Sequence, residues 1–293
     1  MPELPDLTVY IEALERRILG ERCEAVAIVS PFVVRSVDPP VTALESQTVT
    51  GFRRIGKRIV IEFGEDLYLV IHLMIAGRLQ WSEKPPKVNR RLMLGLFTFP
   101  RGTLVLTEAG TKKRASIHVA RGEAALAPFA RGGLEPLDVS ESEFAARLRS
   151  ENHTLKRALT DPRLFSGIGN AYSDEILHRA RLSPLLLTSR IADDDATRLC
   201  RAVRESLTEW TTRLRASTGE AWPKKVTAFR DDMAVHGKFG KPCPVCAAPV
   251  QRIRYADNET NYCARCQTGG RRLADRAMSR LLKEDWPRDI DDL

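Results

Sequence analysis

The stretch LTDPRLFSGIGNAYSDEIL, Leu159 to Leu177, carries two glycines one residue apart, directly before a segment of helical character. Glycine adopts left-handed backbone conformations at little cost, so Gly167 and Gly169 predict a tight turn. A helix is expected to begin at Asn170 or just after it. Free amides at a helix N-terminus attract phosphate, and the Asn170 side chain adds another donor. The stretch therefore indicates an anion-binding turn, although a GxG turn alone is common.

The sequence on either side of this turn divides the chain. Downstream, apolar residues recur at helical spacings of four, four, three and four: Leu199, Val203, Leu207, Trp210 and Leu214. This period predicts a mainly helical domain over residues 141–240. Upstream, ARGGLEPLDVS at residues 130–140 contains two glycines and a proline. It is therefore interpreted as an interdomain linker.

The first part of the chain changes from a helical to a strand pattern. One apolar helical face is formed by Leu7, Ile11, Leu14 and Ile18. Gly20 follows at the position of a C-terminal cap. Short segments rich in β-branched and aromatic residues come next: GKRIVIEF, LYLVIHLM, RLMLGLFTF and GTLVLTE. They predict an antiparallel β-sandwich or barrel over residues 1–129.

Four of the six cysteines occur as the pairs CPVC and CARC, with sixteen residues between the pairs: Cys243, Cys246, Cys263 and Cys266. This spacing lets four thiolates reach one ion, and it leaves room for a β-hairpin. A structural zinc ion in a finger over residues 241–267 is the favoured interpretation. Disulfide bonds and four-thiolate iron are the alternatives. Cys23 and Cys200 have no such partners and are predicted to be core residues.

The net charge of the 293-residue chain is +8. Between Lys224 and Arg280 there are twelve Lys and Arg against five Asp and Glu, so the positive excess is concentrated around the cysteine pairs. The hairpin between the pairs carries Arg254 and, near its tip, Asn258. This concentration favours a nucleic-acid partner, and a solvated charged surface is the alternative.

No apolar run approaches the roughly 18 to 20 residues that a membrane span requires, and no signal peptide precedes the first helix. We therefore expect no membrane association, a cytoplasmic location in the bacterial nucleoid environment, and a monomer.

Five motifs occur in a fixed order: MPELPD, GKRIVIEF with Lys57, IHLMIAGRL, GIGNAYSDEIL and the CxxC pairs. Together they resemble the formamidopyrimidine-DNA glycosylase and endonuclease VIII family, over about residues 1–267. The resemblance implies an α+β multidomain fold. An N-terminal helix and an antiparallel β-sandwich would precede a helix-two-turns-helix domain with a four-cysteine zinc finger. Double-stranded damaged DNA would be the partner, and base excision repair the process.

The resemblance also implies roles for individual residues. Pro2 would attack C1′ of a damaged nucleotide, Glu3 would transfer protons, and Lys57 would contact phosphate and support elimination. Lys156 and Asn170 match positions that hold phosphates beside the lesion. An α-amino group titrates near pH 8, so a Pro2 amine freed of Met1 would be partly neutral at cellular pH. The implied activity is that of a bifunctional DNA glycosylase and abasic-site lyase.

Three features depart from the family pattern. No aromatic residue lies between Gly102 and Pro128, where a wedge that fills the base stack is usual. Ile75, with Met74 beside it, stands at the position of the family's stack-filling methionine, and sandwich core is the alternative role for both. The second departure is Asn258, which stands where the family carries an arginine that binds phosphate, with Arg254 nearby.

The third departure is an extension, residues 268–293 after the zinc finger. Leu273, Ala277 and Leu281 predict a helix there, which would pack on its own domain or contact a partner or DNA. Two further functions stay open. One is a damaged- or abasic-DNA-binding protein that has lost or altered base excision. The other is a zinc-ribbon protein that binds RNA.

Overall fold

The computed structural model describes residues 1–224, 226, 229–255, 258–273 and 289–292. The chain forms two compact units. Unit 1 comprises Met1–Arg131 and Trp210–Thr227, and unit 2 comprises Gly132–Glu209 and Ala228–Leu293. The first division falls inside the predicted linker, residues 130–140. The inclusion of Trp210–Thr227 in unit 1 differs from the continuous helical domain predicted for residues 141–240.

Unit 1 begins with helix α1, Leu4–Ile18. Three members of its predicted apolar face, Leu7, Leu14 and Ile18, are fully buried, as a helix lying on a core requires. Gly20, two residues past the helix end, has a φ of +78°. This is the left-handed region that glycine tolerates best, so the predicted stop signal acts close to its expected position.

Eight strands form two antiparallel sheets in unit 1. They are β1 Ala25–Ile28, β2 Val49–Ile55, β3 Arg58–Phe63, β4 Leu67–His72, β5 Gly77–Ser82, β6 Met93–Phe99, β7 Gly102–Glu108 and β8 Ser116–Arg121. One sheet has the strand order β2-β3-β4-β8 and the other β1-β6-β7-β5. Residues of both sheets and of α1 share one hydrophobic cluster. The predicted sandwich with its N-terminal helix is therefore confirmed.

The segment Trp210–Thr227 is attached to unit 1 through Trp222. The indole Nε1 of Trp222 donates to the Leu79 carbonyl at 2.8 Å. Its ring lies 6.4 Å from that of Trp81 in a stacked arrangement, and the Arg17 guanidinium lies 5.4 Å from its centroid. An aromatic side chain with a satisfied N–H is a strong anchor, so this tryptophan holds the segment in place.

Unit 2 contains helices α2 to α4 and most of α5, together with a small cysteine-bearing module. The helices are α2 Glu141–Arg149, α3 Leu155–Thr160, α4 Asn170–Arg179 and α5 Asp193–Thr218. The module consists of strands β9 Gln251–Tyr255 and β10 Asn258–Tyr262, which pair antiparallel, and the short helix α6 Ala264–Thr268. Across the described parts of the chain, no helix is both long and apolar enough to cross a membrane.

The last described residues return to the cysteine module. Ile290 is buried in a cluster with Tyr262, Ala264 and Leu273, and its backbone N–H donates to the Gly270 carbonyl. Of the predicted apolar stripe in the extension, only Leu273 is described. Ala277 and Leu281 lie outside the described residues.

Replacing Leu14 with alanine will leave a cavity in the unit 1 core, because this side chain is fully buried. We expect the free energy of unfolding of unit 1 to fall by about 2–5 kcal/mol, measured by urea denaturation and tryptophan fluorescence. Leu19→Ala is the matched control, since Leu19 is 52% exposed one residue past the helix, and it should cost less than about 0.5 kcal/mol. Equal losses in the two variants would contradict the packing of α1.

Candidate functional site

The first three residues of the chain lie at the start of α1 in unit 1. Pro2 and Glu3 are both buried, Glu3 with 2% of its surface exposed. The Glu3 backbone N–H donates to Asp6 Oδ2 at 3.0 Å, which fixes the first turn. A carboxylate at a helix N-terminus is stabilised by the helix dipole. The structure therefore places Pro2 and the Glu3 carboxyl group side by side in a buried position.

Several charges act on the terminal amine. Burial lowers the pKa of the Met1 amine below its ordinary value; Glu3 and Asp6 oppose this shift, whereas Arg78 and Lys57 add to it. The charge of Lys57 thus acts on the chain start, and its contact with phosphate stays a prediction. Arg78 was not among the predicted residues, although the motif IHLMIAGRL contains it.

Lys57 lies in the two-residue turn between β2 and β3. Its charge also reaches His72, at the end of β4. Burial lowers the pKa of His72 to about 4, and the charges of Arg58, Lys57 and His118 contribute to the shift. His72 is consequently neutral at pH 7, while positive charge is concentrated around the turn.

The four residues between β4 and β5 form a turn that exposes an apolar side chain. Met74 has a φ of +52°, and Ile75 is 60% exposed. The Arg78 guanidinium donates to the Ile75 and Gly77 carbonyls at 3.0 and 2.6 Å. A Cβ on Gly77 would lie 2.2 Å from the Leu73 carbonyl oxygen, so only glycine fits there. Ile75 is therefore held in the turn and is not a core residue, which excludes the core alternative for it.

The loop between β7 and β8, where the sequence lacks an aromatic wedge, closes around a buried carboxylate. Glu108, 1% exposed, accepts the backbone N–H groups of Arg114 and Ala115 at 2.8 and 3.1 Å. Lys113 donates to the Arg91 carbonyl at 2.9 Å. The loop is thus an ordered basic turn, with Lys112 and Arg114 exposed.

In unit 2 the predicted turn precedes α4. Gly167 has a φ of +79°, Gly169 is the N-cap, and Asn170 is the first helical residue. Lys156 Nζ donates to the Asn170 carbonyl at 2.7 Å and to Asp174 Oδ1 at 2.6 Å. The structure thus brings Lys156 and Asn170 together, and their contact with phosphate stays a prediction.

The hairpin β9–β10 carries the basic residues expected between the cysteine pairs. Arg254 lies opposite Glu259 in the register, and its Nε is 3.5 Å from Glu259 Oε2. The Arg254 side chain is 63% exposed. The Arg252 guanidinium lies 4.0 Å from the centroid of the Phe239 ring. Asn258 begins β10, with its backbone opposite Tyr255.

The four predicted metal ligands converge. Their Sγ atoms all lie within 4.8 Å of one another, at 3.3 Å for Cys246 and Cys263 and 3.9 Å for Cys243 and Cys266. A tetrahedral zinc ion with Zn–S bonds of about 2.3 Å requires sulfurs about 3.8 Å apart, so the cluster fits this ion. His178 Nε2 lies 3.2 Å from Cys243 Sγ, as a group that orients a ligand would.

A second cluster of possible ligands, Glu151, His153 and Asp161, also has its ligand atoms within 4.8 Å. Arg163 lies 3.0 Å from the Glu151 carboxylate and 2.8 Å from that of Asp161. The Arg163 guanidinium already pairs with both carboxylates, so the cysteine cluster is the better metal site. Cys23 and Cys200 are buried apart from it, as predicted.

Family models match three parts of the chain. Residues 1–109 match the formamidopyrimidine-DNA glycosylase N-terminal domain, residues 133–218 its H2TH domain, and residues 240–269 a zinc finger found in FPG and IleRS. The chain is 40% identical to a formamidopyrimidine-DNA glycosylase-like protein of Mycobacterium tuberculosis over 151 residues, which are 52% of this chain and 94% of that protein. The chain belongs to the formamidopyrimidine-DNA glycosylase family.

Relatives that match most of the chain carry the same family name. A formamidopyrimidine-DNA glycosylase of Corynebacterium jeikeium is 29% identical over 289 residues, covering 91% of this chain and 100% of that protein. The solved Lactococcus lactis Fpg in complex with abasic-site DNA superposes with a TM-score of 0.80 at 25% identity, covering 91% of this chain and 99% of that one. MutM in complex with DNA containing carbocyclic 8-oxo-G gives the same TM-score and identity, covering 91% and 100%.

Family membership confirms the predicted resemblance. It also identifies the protein as a DNA-binding member of a family of DNA-repair glycosylases with a zinc finger. The zinc-finger family model spans all four cysteines. The geometry adds two residues that the motifs alone did not single out. Arg78 supports the exposed turn, and Asp174 pairs with Lys156.

Proposed function

We propose that the protein is a bifunctional DNA glycosylase and abasic-site lyase that acts on damaged bases in duplex DNA. The observation that carries this proposal is the buried Pro2–Glu3 pair at the start of α1, where the pKa of the terminal amine is lowered. Family membership supports the same activity. So do the solved relatives in complex with abasic-site DNA and with DNA containing carbocyclic 8-oxo-G.

The chemistry requires that Met1 be removed, because the nitrogen of Pro2 is otherwise an amide. The freed amine bonds to C1′ of the damaged nucleotide as the bond from C1′ to the base breaks, and the base leaves. The nitrogen then gives up its proton and the sugar ring opens, with Glu3 supplying a proton to the ring oxygen. This leaves a cationic iminium between Pro2 and C1′.

Strand cleavage follows from the iminium. The positive charge acidifies C2′, so loss of a C2′ proton breaks the bond from C3′ to its phosphate oxygen. Water then hydrolyses the iminium and restores the amine. Lys57, which lies near the chain start and in a region of positive charge, holds a phosphate during these steps.

DNA binding uses residues of each unit. Ile75, supported by Met74 on its turn, enters the space left by the extruded base, since its apolar side chain is 60% exposed. Asn170 and Arg254 contact the phosphate backbone in unit 2, with Asn258 at the start of the second strand of the hairpin. The protein works as a monomer in the cytoplasm on nucleoid DNA.

One zinc ion holds the hairpin. Four thiolates close its coordination, so the ion has a structural role and leaves no open position for a reacting water. When bound, the zinc ion would cross-link the module, in which one small buried cluster contains Val235 and Val250.

A second function is a damaged-DNA-binding protein without base excision. The loop between β7 and β8 motivates it, because this loop is a basic turn without an aromatic residue, and Asn258 replaces an expected arginine. Such a protein would bind duplex DNA in a salt-sensitive manner and release no base from abasic, oxidised-purine, oxidised-pyrimidine or alkylated duplexes.

Borohydride trapping tests the iminium. The purified chain, with Met1 removal verified by intact mass, is expected to form a covalent adduct with duplex DNA containing an abasic site. A form with one additional residue before Pro2 should give no adduct, because its Pro2 nitrogen is an amide. Glu3→Gln retains the amine, so it should still trap a preformed abasic site while excising a damaged base at least about 100-fold more slowly. Absence of adduct from the trimmed chain would exclude the lyase mechanism.

Trapping should also depend on pH. Only the neutral amine attacks, and the surroundings that lower the pKa of the Met1 amine below 8.0 would act on the Pro2 amine in its place. The trapping rate should therefore rise with pH and reach half its maximum at a pH below the pKa of the amine in a short unstructured peptide that begins Pro-Glu-Leu. Single-turnover trapping between about pH 5 and pH 9 measures this. A half-maximum at or above the pKa of the peptide amine would contradict the effect of burial.

Elemental analysis should find one zinc ion per chain. Cys246→Ser should lose this ion and weaken binding to duplex DNA by about tenfold or more, because the hairpin loses its cross-link. Cys200→Ala is the matched control, since it removes a buried thiol outside the cluster and should retain the ion. Iron in the purified protein, or full metal content in Cys246→Ser, would contradict the assignment.

A further inference from the structure

Asp174 is a buried carboxylate in the middle of α4, and three separate elements donate to it. Its side chain has no exposed surface. Oδ1 accepts from Lys156 Nζ of α3 at 2.6 Å. Oδ2 lies 2.7 Å from His236 Nδ1 and accepts the Asn261 backbone N–H of β10 at 3.1 Å. One carboxylate therefore connects α3, α4, the chain before the cysteines, and the hairpin.

The contacts around Asp174 extend this connection. The neighbouring Glu175 carboxylate accepts three consecutive backbone N–H groups, from Ala234, Val235 and His236, at 2.8 to 2.9 Å. Asn170 Nδ2 donates to the Glu259 carbonyl of the hairpin at 2.9 Å. Buried polar bonds thus hold the hairpin against α4.

The pairing of Lys156 follows from the burial of Asp174. An ionised carboxylate in a protein interior is costly unless a counter-charge and hydrogen-bond donors surround it. Lys156 supplies that charge, with only 12% of its side chain exposed. Its ammonium also donates to the Asn170 carbonyl at 2.7 Å, so it is held from two sides.

We propose that Asp174 is a positioning residue for DNA binding, which holds the hairpin and the turn before α4 in one arrangement. Lys156 is its structural counter-ion, not a phosphate ligand. This inference rests on the proposed function, because the arrangement matters for binding only if the protein contacts duplex DNA. It replaces the phosphate-contacting role that the family resemblance implied for Lys156.

The two possible roles of Asp174 predict opposite effects of Asp174→Asn. If the carboxylate acted only through its charge, removing it would free Lys156 for a phosphate and tighten binding to the polyanion. The dependence of log Kobs on log salt would then steepen by about 0.9. If Asp174 positions the hairpin, the same substitution weakens binding and leaves the salt slope unchanged.

The experiment measures binding of the zinc-loaded full chain to a short duplex with a tetrahydrofuran abasic-site analogue, over a range of salt concentrations. We expect Asp174→Asn and Lys156→Met each to raise Kd about tenfold with the wild-type slope. The double variant should be close to either single variant, because the two side chains act as one pair. Asp194→Asn, which removes an exposed carboxylate of the same unit, is the matched control and should change Kd less than about twofold.

Tighter binding by Asp174→Asn, or a slope reduced by about 0.9 in Lys156→Met, would overturn the inference. A second measurement does not depend on DNA. The Gly237 backbone N–H donates to Asn261 Oδ1 at 2.8 Å, and that of Asn261 donates to Asp174. Amide hydrogen exchange at Gly237 and Asn261 should become faster in Asp174→Asn, while exchange in the strands of unit 1 stays unchanged. Unchanged exchange at these two amides would also overturn the inference.

His236→Gln is a milder variant in case Asp174→Asn fails to fold, since it removes one of the three partners of the carboxylate and keeps the pair with Lys156. It should show the same changes at smaller size. If the wild-type chain binds no duplex, the proposed function fails on that result alone. The hydrogen-exchange comparison then still decides whether Asp174 holds the hairpin.

Discussion

The burial of one face of α1 is the constraint on which the N-terminal site depends. Leu7, Leu14 and Ile18 are fully buried, so the helix cannot rotate or shift without exposing apolar surface to water. Pro2 and Glu3 directly precede its first turn and are therefore buried with it. An amine that is desolvated in this way has a lowered pKa, and the helix start provides a favourable position for an adjacent carboxylate. Packing of a single helix thus determines the position of the proposed nucleophile, and burial at the same place lowers the pKa of the terminal amine.

Unit 2 relies on a different kind of interaction. Among the described residues, its cysteine module has two small apolar clusters, one around Val235 and Val250 and one around Tyr262 and Leu273. Two further kinds of interaction add to these apolar contacts. A metal ion held by the four convergent thiolates would cross-link the module, and the carboxylates of Asp174 and Glu175 accept donors from the surrounding chain. Both interactions act through directional bonds, which fix the orientation of the hairpin more closely than apolar contacts do.

The turn between β4 and β5 combines strain with exposure. Met74 has a left-handed backbone, Gly77 cannot be replaced by a larger residue, and Arg78 binds the turn's carbonyls. Such backbone strain is usual at functional sites, where the surrounding fold maintains an otherwise unfavourable conformation. The structure thus keeps an apolar Ile75 side chain in water, a position that is useful if the side chain enters a base stack.

Local features of the sequence determined much of the fold. The apolar face of α1, the strand segments, the GxG turn before Asn170 and the paired cysteines all depend on spacings within a few residues, which backbone geometry translates directly into structure. The order of these motifs also identified the family. The cysteine spacing was sufficient to predict a four-thiolate site, because two residues between ligands bring both sulfurs to one ion.

Tertiary structure decided the contacts between residues far apart in the chain. Asp174 meets Asn261, 87 positions away, and Trp222 meets Leu79, 143 positions away. The family resemblance predicts that Lys156 binds phosphate, whereas in the folded chain Lys156 pairs with Asp174. These pairings have no local periodicity, since they arise only when separate elements pack and their buried polar groups must find partners. The family and the four-cysteine cluster were therefore predictable from sequence, while the network of buried polar contacts around Asp174 was not.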